Sequence, residues 1–98
     1  MIDSVITQGL DTRQQWVTKY KIEYSEDCLH FQQLQNSKEF TSNTDESTKV
    51  TNKFGCPVFA KCVRLYPTEW NKHSGLRFDI LGCEILDKYY NPLSFFHN

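Results

Sequence analysis

Several side chains of the types used in catalysis are present, but none lies in a motif that assembles a reactive site. A nucleophilic enzyme needs a nucleophile, a base and an orienting group close together. By type, the chain offers Cys28, His73, Ser74 and Asp79. The sequence contains no G-x-S-x-G turn, no H-E-x-x-H helix and no G-x-x-x-x-G-K-[ST] phosphate loop. It therefore predicts a protein that is not an enzyme.

The chain contains four cysteines, at Cys28, Cys56, Cys62 and Cys83. They raise the question of a metal site, but no C-x-x-C pair is present, and Cys28 with His30 does not supply four ligands at the spacing usual for structural zinc. We therefore expect no metal and no cofactor. Four cysteines allow three complete disulfide pairings, and buried free thiols are the alternative.

Three further side chains have types that suit either binding or packing. Trp16 and Trp70 lie beside loops, where a large amphipathic ring can contact a ligand or a membrane interface, but from residue type alone core packing is the interpretation we favour for both. Arg77 can recognise a carboxylate or a phosphate. We favour a structural role, in which Arg77 pairs with an internal acid such as Asp45 and ties down a loop.

The composition excludes several classes of protein. The 98 residues include 11 Lys and Arg against 12 Asp and Glu, a net charge of -1, which argues against a nucleic-acid-binding protein and a polybasic membrane surface. A hydrophobic fraction of 39% indicates a folded chain, and the length allows one domain. No apolar run is long enough for a transmembrane segment, and the first four residues do not resemble a secretory signal.

The hydrophobic pattern predicts short strands separated by turns. The clearest alternation places Thr18, Tyr20, Ile22 and Tyr24 on one side of a strand. The predicted strands cover residues 4–8, 18–24, 29–34 (short or irregular), 58–66 (ended by Pro67) and 76–83. Residues 36–52 read as a long surface loop or two weak edge strands, 68–75 as a loop, and 84–98 show no clear period. Such a pattern is typical of an antiparallel sandwich or barrel.

Blocks of the sequence resemble the discoidin domain, also called the coagulation factor 5/8 type C domain. The blocks are ITQG (6–9), QWVTKYKIEYSED (15–27), NTD (43–45) with VTNKF (50–54), PVFAKCVRLYP (57–67) with WN (70–71), and LRFDILGC (76–83). Each block alone is a weak signal, whereas their order along residues 4–83 is specific. The chain is similar to the C-terminal two-thirds of the domain, which assigns residues 1–83 to a partial domain and leaves 84–98 as a tail outside the match.

The resemblance implies an all-β, galactose-binding-like jelly-roll antiparallel β-sandwich, truncated at its N-terminal end. It also implies that ligands meet loops at one end of the sandwich. The loop between 10 and 15 occupies the place of the family's third spike, with Leu10 as an apolar tip and Arg13 able to meet an anionic head group. Leu10, Arg13, Gln15 and Trp16 are therefore the expected ligand-binding residues, although an ordinary polar turn is the alternative.

Departures from the family pattern concern the cysteines. The family's opening cysteine, which pairs with the one matching Cys83, precedes the matched region, so Cys83 is expected to lack its usual partner. Cys28 stands at a usual turn glycine, and Cys62 at a usual aromatic, which places Cys62 on a strand facing the interior or an adjacent sheet. A bridge among Cys28, Cys56 and Cys62 is compatible with an oxidising compartment, and the sequence does not assign it.

The resemblance thus implies a non-enzymatic, extracellular or secreted module for adhesion or recognition. Its expected partners are cell-surface phospholipid, glycan or extracellular protein, with peripheral membrane contact, no transmembrane segment and no nucleic acid. Trp70, Arg77 and Cys83 are expected to be structural. The alternatives are a structural or protein-interaction fragment without ligand spikes and a carbohydrate-binding appendage of a larger secreted hydrolase.

Overall fold

The computed structural model describes residues 1–10, 14–86 and 89–97, with side chains described as far as Gly82. The predicted all-β class is confirmed, since the elements are eight strands and one 3₁₀ turn, Leu34–Asn36. The strands are β1 (Ile2–Gln8), β2 (Trp16–Ser25), β3 (Gln32–Gln33), β4 (Phe40–Thr41), β5 (Val50–Val58), β6 (Cys62–Asn71), β7 (Arg77–Leu86) and β8 (Tyr89–His97). Among the described residues, no helix has the length and apolar character needed to span a lipid bilayer.

The first sheet has the strand order β5, β1, β7, β8, and every neighbouring pair is antiparallel. In β1, Val5 and Thr7 are fully buried and face the core. Their partners on β7 are Ile80 and Phe78, which are also buried. Because paired residues of an antiparallel sheet share a face, these four side chains form one layer of the core, within the strand predicted for residues 76–83.

The second sheet is built around β2. Strand β6 pairs along the whole length of β2, and the two-residue strands β3 and β4 share its other edge. The register shifts between Val17 and Tyr20, where Thr18 has no partner on β6. This irregularity brings both Val17 and Tyr20 to the core, so the strict alternation predicted for β2 holds for Tyr20 and Ile22 but not for Thr18.

Aromatic side chains join the two sheets. Tyr20 of β2 stacks on Phe40 of β4 with ring centroids 5.5 Å apart, and Phe40 lies 6.3 Å from Phe54 of β5. The side-chain amide of Asn52 donates a hydrogen bond of 3.0 Å to the Tyr20 hydroxyl. Burial raises the pKa of Tyr20 to about 12, so this ring stays neutral and can remain in the core.

A buried amide anchors the connection between β4 and β5. Asn43 is 1% exposed, and its Nδ2 donates to the carbonyl oxygens of Thr7 (3.2 Å) and Thr48 (2.7 Å). The hydroxyls of Thr7 and Ser42 form a further buried hydrogen bond of 2.6 Å. The edge-strand alternative for residues 36–52 is thus correct at Phe40 and from Val50 onward, and the polar segment between them is held against β1.

The strand predicted for residues 58–66 is correct from Cys62 to Tyr66 but wrong in where it begins and ends. β5 ends at Val58, a turn follows, and β6 continues through Pro67 to Asn71. The turn is fixed by the Lys61 N–H, which donates to the carbonyl oxygen of Ser25 at 2.8 Å. In the described part of the chain β6 pairs with β2 alone, so it is an edge strand. An edge strand tolerates proline because one of its sides makes no hydrogen bonds to a neighbouring strand, and the N–H that proline lacks can be on that side.

The segment predicted as a short or irregular strand from residue 29 to 34 is irregular. It consists of a bend, the two-residue strand β3 and the start of the 3₁₀ turn, and Leu34 is buried whereas Leu29 is 79% exposed. β7 continues past the predicted boundary at Cys83, and β8 pairs with β7 from Leu86 back to Phe78. β8 was not predicted because its residues have no alternating pattern.

A disulfide joins Cys28 and Cys62, with the two Cα atoms 5.3 Å apart. Cys28 has a φ of 64°, the left-handed region that glycine favours, which agrees with the turn position that the sequence assigned to it. Cys56 is a free, exposed cysteine, and the side chain of Cys83 lies outside those described. The structure therefore selects one bridge where the sequence left the pairing open.

We expect loss of this bridge to lower the stability of the protein markedly. The bridge spans 34 residues, and closing such a loop in the unfolded chain contributes about 3 to 4 kcal/mol. Urea unfolding of Cys28→Ser/Cys62→Ser, followed by tryptophan fluorescence, measures the difference in the free energy of unfolding. Cys56→Ser is the matched control, and an equal loss of stability in that variant would contradict the assignment.

Candidate functional site

The loop between β1 and β2 is closed at its base by a backbone contact. The Leu10 N–H donates to the carbonyl oxygen of Gln15 at 2.8 Å, and the two residues form an isolated β-bridge. Gln14 adopts a left-handed conformation with φ 52° just before this bridge. The two ends of the loop, Leu10 and Gln15, therefore have fixed positions and form its first and second stems.

The turn after β6 braces the second stem. Asn71 Nδ2 donates to the Gln14 carbonyl oxygen, and Lys72 Nζ donates to Gln14 Oε1, both at 3.0 Å. Gly75 lies against the first stem, because a β-carbon there would come within 2.6 Å of Leu10 Cδ1 and 2.5 Å of Gln15 Oε1. The segment from 71 to 75 thus packs along the base of the loop.

Gly9 is the point at which three segments converge. A β-carbon at Gly9 would lie 2.6 Å from the Gln15 carbonyl oxygen and 2.8 Å from the Glu46 Cα, both of them backbone atoms. From the other side, Arg77 Nε of β7 donates a hydrogen bond of 3.0 Å to the Gly9 carbonyl oxygen. The loop base is therefore positioned by β7 and by the 45–46 turn as well as by its own hairpin.

The structure brings together most of the residues expected to bind a ligand, but it places them at the base of the β1–β2 loop and not at its tip. Leu10, Gln15 and Trp16 all lie at the loop base and are half-buried, so the prediction of Leu10 as an apolar tip is wrong. Leu10 is at the base because it forms the closing bridge with Gln15. Arg13 lies outside the described residues.

Arg77 and Trp70 differ from their predicted surroundings. Arg77 does tie down a loop, but its bond is to the Gly9 carbonyl oxygen and not to the predicted partner Asp45. The Asp45 carboxylate instead accepts the Thr48 N–H and hydroxyl and the Ser47 N–H, which lowers its pKa. Trp70 is 50% exposed at the end of an edge strand, so the core packing we favoured for it is not observed.

The opposite end of the sandwich carries a second ordered turn beside the disulfide. The Asp27 carboxylate accepts the N–H groups of Leu29 and His30 and the Ser25 hydroxyl, each at 2.8 Å, and contacts His30 Nδ1 at 2.7 Å. These bonds, led by the one from the His30 backbone, hold the pKa of Asp27 well below its usual range, while the Asp27 contact raises the pKa of His30. Leu29 and Phe59, two large exposed apolar side chains, flank this turn and the 59–61 turn.

The residues of catalytic type are not assembled into one site. Cys28 is bonded to Cys62 where β2 ends, whereas His73 and Ser74 follow β6 at the other end of the sandwich. Asp79 lies within β7. Among the described residues, no group of three His, Cys, Asp or Glu side chains is placed to hold a metal ion.

The fold and the arrangement of the loops can be compared with known proteins. A model of the F5/8 type C domain matches residues 1–80, which is most of the chain. This chain belongs to the F5/8 type C (discoidin) domain family. The resemblance found in the sequence is therefore confirmed, and the two sheets are those of a galactose-binding-like jelly roll.

The chain is also similar in sequence and in fold to individual proteins. Discoidin-2 of Dictyostelium discoideum is 30% identical over 89 residues, covering 91% of this chain and 34% of that protein. Coagulation factor VIII of Sus scrofa is 33% identical over 93 residues, covering 90% of this chain and 4% of that protein. The structure of wild-type discoidin II from Dictyostelium discoideum superposes with a TM-score of 0.76 at 30% identity, covering 81% of this chain and 31% of that one. The chain thus spans about a third of the discoidin sequences it matches.

The two glycines at the loop base should respond differently to substitution. Gly9→Ala forces a β-carbon against backbone atoms, and we expect it to cost about 2 to 3 kcal/mol of stability, as for an overpacked core. Gly75→Ala meets the ends of two side chains that can rotate away, so its cost should stay below about 1 kcal/mol. Urea unfolding of both variants measures the contrast, and equal costs would show that the Gly9 contacts are not tight.

The Asp27–His30 contact predicts a pH dependence with a definite sign. The pKa of His30 is raised, so its contribution to stability is complete below pH 6.5 and is lost as the pH rises through the raised value. The pKa of Asp27 is lowered, so its contribution is present above pH 3.8 and is lost as the pH falls through the lowered value. NMR titration of the His30 ring should give a midpoint above 6.5 that falls in Asp27→Asn.

Glu26→Gln supplies the control for this titration, because Glu26 is an exposed acid one residue away from Asp27. It should leave the His30 midpoint nearly unchanged, since the shift arises from a direct hydrogen bond. If Glu26→Gln lowers the midpoint as much as Asp27→Asn does, a general negative field accounts for the shift and the specific contact does not.

Proposed function

We propose that this chain is part of a non-enzymatic, extracellular binding module that docks through the β1–β2 loop onto a phospholipid or glycan surface. The observation that carries the proposal is the bracing of the loop base. Arg77 holds Gly9, Asn71 and Lys72 hold Gln14, and Leu10 bonds to Gln15. A loop base fixed in this way holds its residues in place before they meet a surface, which reduces the entropy lost on binding.

The side chains around the loop supply suitable chemistry. Leu10 and Trp16 are half-buried at its base, so part of each remains available to an apolar or aromatic contact. Lys72 holds a positive charge beside Gln14, and Arg13 precedes Gln14 in the sequence. Cations at a surface attract anionic head groups or acidic sugars. Leu10, Arg13, Gln15 and Trp16 remain the proposed contact residues.

The disulfide supports the proposed location. Bridges such as Cys28–Cys62 persist in oxidising compartments and are rare in the cytosol. The bridge also removes Cys28 from the candidate nucleophiles, since a bonded sulfur is not a thiol. Both points favour a secreted binding module with cell-surface or extracellular partners over an intracellular enzyme.

A protein-interaction fragment is the second candidate, and one observation favours it. Leu29 and Phe59 are 79% and 59% exposed at the end of the sandwich opposite the loop, where the disulfide joins their segments. Large apolar side chains held at a surface are typical of protein contacts. In this alternative the β1–β2 loop takes no part in binding.

Vesicle and glycan binding tests these candidates. We expect the protein to bind vesicles containing phosphatidylserine, or an immobilised glycan, better than phosphatidylcholine vesicles. Leu10→Ala/Arg13→Ala should reduce that binding by about fivefold or more, because it removes the apolar contact and one cation.

Leu29→Ala is the matched control, since it removes an exposed leucine at the other end. Loss of binding in Leu29→Ala with none in the loop variant would transfer the contact to the disulfide end. Folded protein that binds neither surface would leave the protein-interaction candidate ahead.

A further inference from the structure

A cavity of about 370 Å³ lies on the first sheet beside the base of the β1–β2 loop. Its lining includes Ile6, Gln8, Lys49, Arg77 and Asp79. This volume is within the usual range of small-molecule sites, from about 300 to 1,000 Å³. The cavity therefore has room for a small ligand or for one ring of a larger one.

The strand register explains why these side chains share a face. Val5 and Thr7 are fully buried, so the alternate residues of β1, Ile6 and Gln8, point away from the core. On β7, Asp79 pairs with Ile6 and Arg77 pairs with Gln8. These four residues form two neighbouring rows on the outer face of the sheet.

Lys49 completes the row that contains Gln8 and Arg77. It precedes Val50, the β5 partner of Thr7, and therefore comes beside Gln8 on the side away from β7. Neighbouring strands are about 4.8 Å apart, so the backbones of Lys49 and Arg77 are separated by about 10 Å across Gln8. Two cationic side chains thus approach the cavity from opposite sides.

The charges and the apolar floor indicate the chemistry of a ligand. Lys49 forms no ion pair with any residue that the structure describes, and Arg77 is held at the rim by its bond to the Gly9 carbonyl. Cations in this arrangement favour a carboxylate between them. Asp79 also lines the cavity, and a carboxylate accepts hydrogen bonds from hydroxyl groups. Ile6 offers an apolar surface for the C–H face of a ring.

We propose that this cavity binds the carboxylate-bearing ring of an acidic saccharide, with Lys49 and Arg77 facing the carboxylate and Asp79 accepting a ring hydroxyl. A saccharide fits better than a membrane, because the large apolar side chains exposed in the described part of the chain, Leu29, Phe59, Tyr66 and Trp70, do not line the cavity. The site is separate from the loop contact proposed above, so each can fail without the other.

Titration of the protein with D-glucuronic acid, followed through its backbone amide resonances, tests the proposal. We expect saturable shifts at Ile6, Gln8 and Lys49, and none of comparable size with the neutral sugar D-glucose. Lys49→Glu should weaken glucuronate binding about tenfold, since it places a negative charge beside the bound anion. Lys49→Gln should give a smaller loss, and an unchanged melting temperature shows that both variants fold.

Lys53→Glu is the matched control. Lys53 is an exposed lysine of β5, paired with Ser4 and outside the cavity lining, and its reversal should change the affinity less than about twofold. Equal losses in the two charge-reversal variants, equal binding of glucose, or the absence of saturation would overturn the proposal.

Two further measurements distinguish this site from sugar binding at the β1–β2 loop and from binding of a lipid head group. Leu10→Ala/Arg13→Ala should retain glucuronate binding within about twofold, and loss there but not in Lys49→Glu would place the sugar on the loop and overturn the proposal. Phosphatidylserine vesicles should not displace glucuronate. Displacement that depends on Lys49 would identify a lipid head group as the occupant and would also overturn the assignment to a saccharide.

Discussion

The packing of Tyr20 and Phe40 of the second sheet against Asn52 and Phe54 of the first is the interaction on which the rest of this structure depends. Tyr20 is fully buried, stacks on Phe40 and accepts a hydrogen bond from Asn52 of β5. Phe54, also of β5, contacts Phe40 in turn. Because Tyr20 lies at the middle of β2, this contact sets the position of the second sheet relative to β1 and β7, and the loops at both ends take their positions from those strands.

The two ends of the sandwich are restrained by different physical means. At the disulfide end, a covalent bond between Cys28 and Cys62 limits the unfolded chain, and the Asp27 carboxylate orders the adjacent turn through charge-assisted hydrogen bonds. At the loop end, the restraint is close packing at Gly9 together with the hydrogen bond from Arg77. The packed backbone at Gly9 leaves no room for a β-carbon, so stability there is sensitive to substitution. The Asp27–His30 turn is exposed and contains two titrating groups, so its stability depends on pH.

This arrangement separates the parts that hold the fold from the parts that can serve binding. The core between the sheets uses the inward residues of each strand, so the outward residues of β1 and β7 define a cavity on the other face. Arg77 belongs to both parts, since one nitrogen anchors the loop base and the side chain borders the cavity. The base of the loop and the cavity are consequently neighbours.

The sequence by itself determined the all-β class and the family, because these depend on alternation and local motifs that a single chain displays. It indicated that Arg77 ties down a loop, but not the partner, since Gly9 lies 68 positions away in the chain. Only the tertiary structure decided the Cys28–Cys62 bridge, the burial of Asn43 in a polar segment, the position of Leu10 at the loop base and the path of β6 through Pro67. Each of these is fixed by contacts between segments distant in the sequence, and residue type and spacing alone carry no record of such contacts.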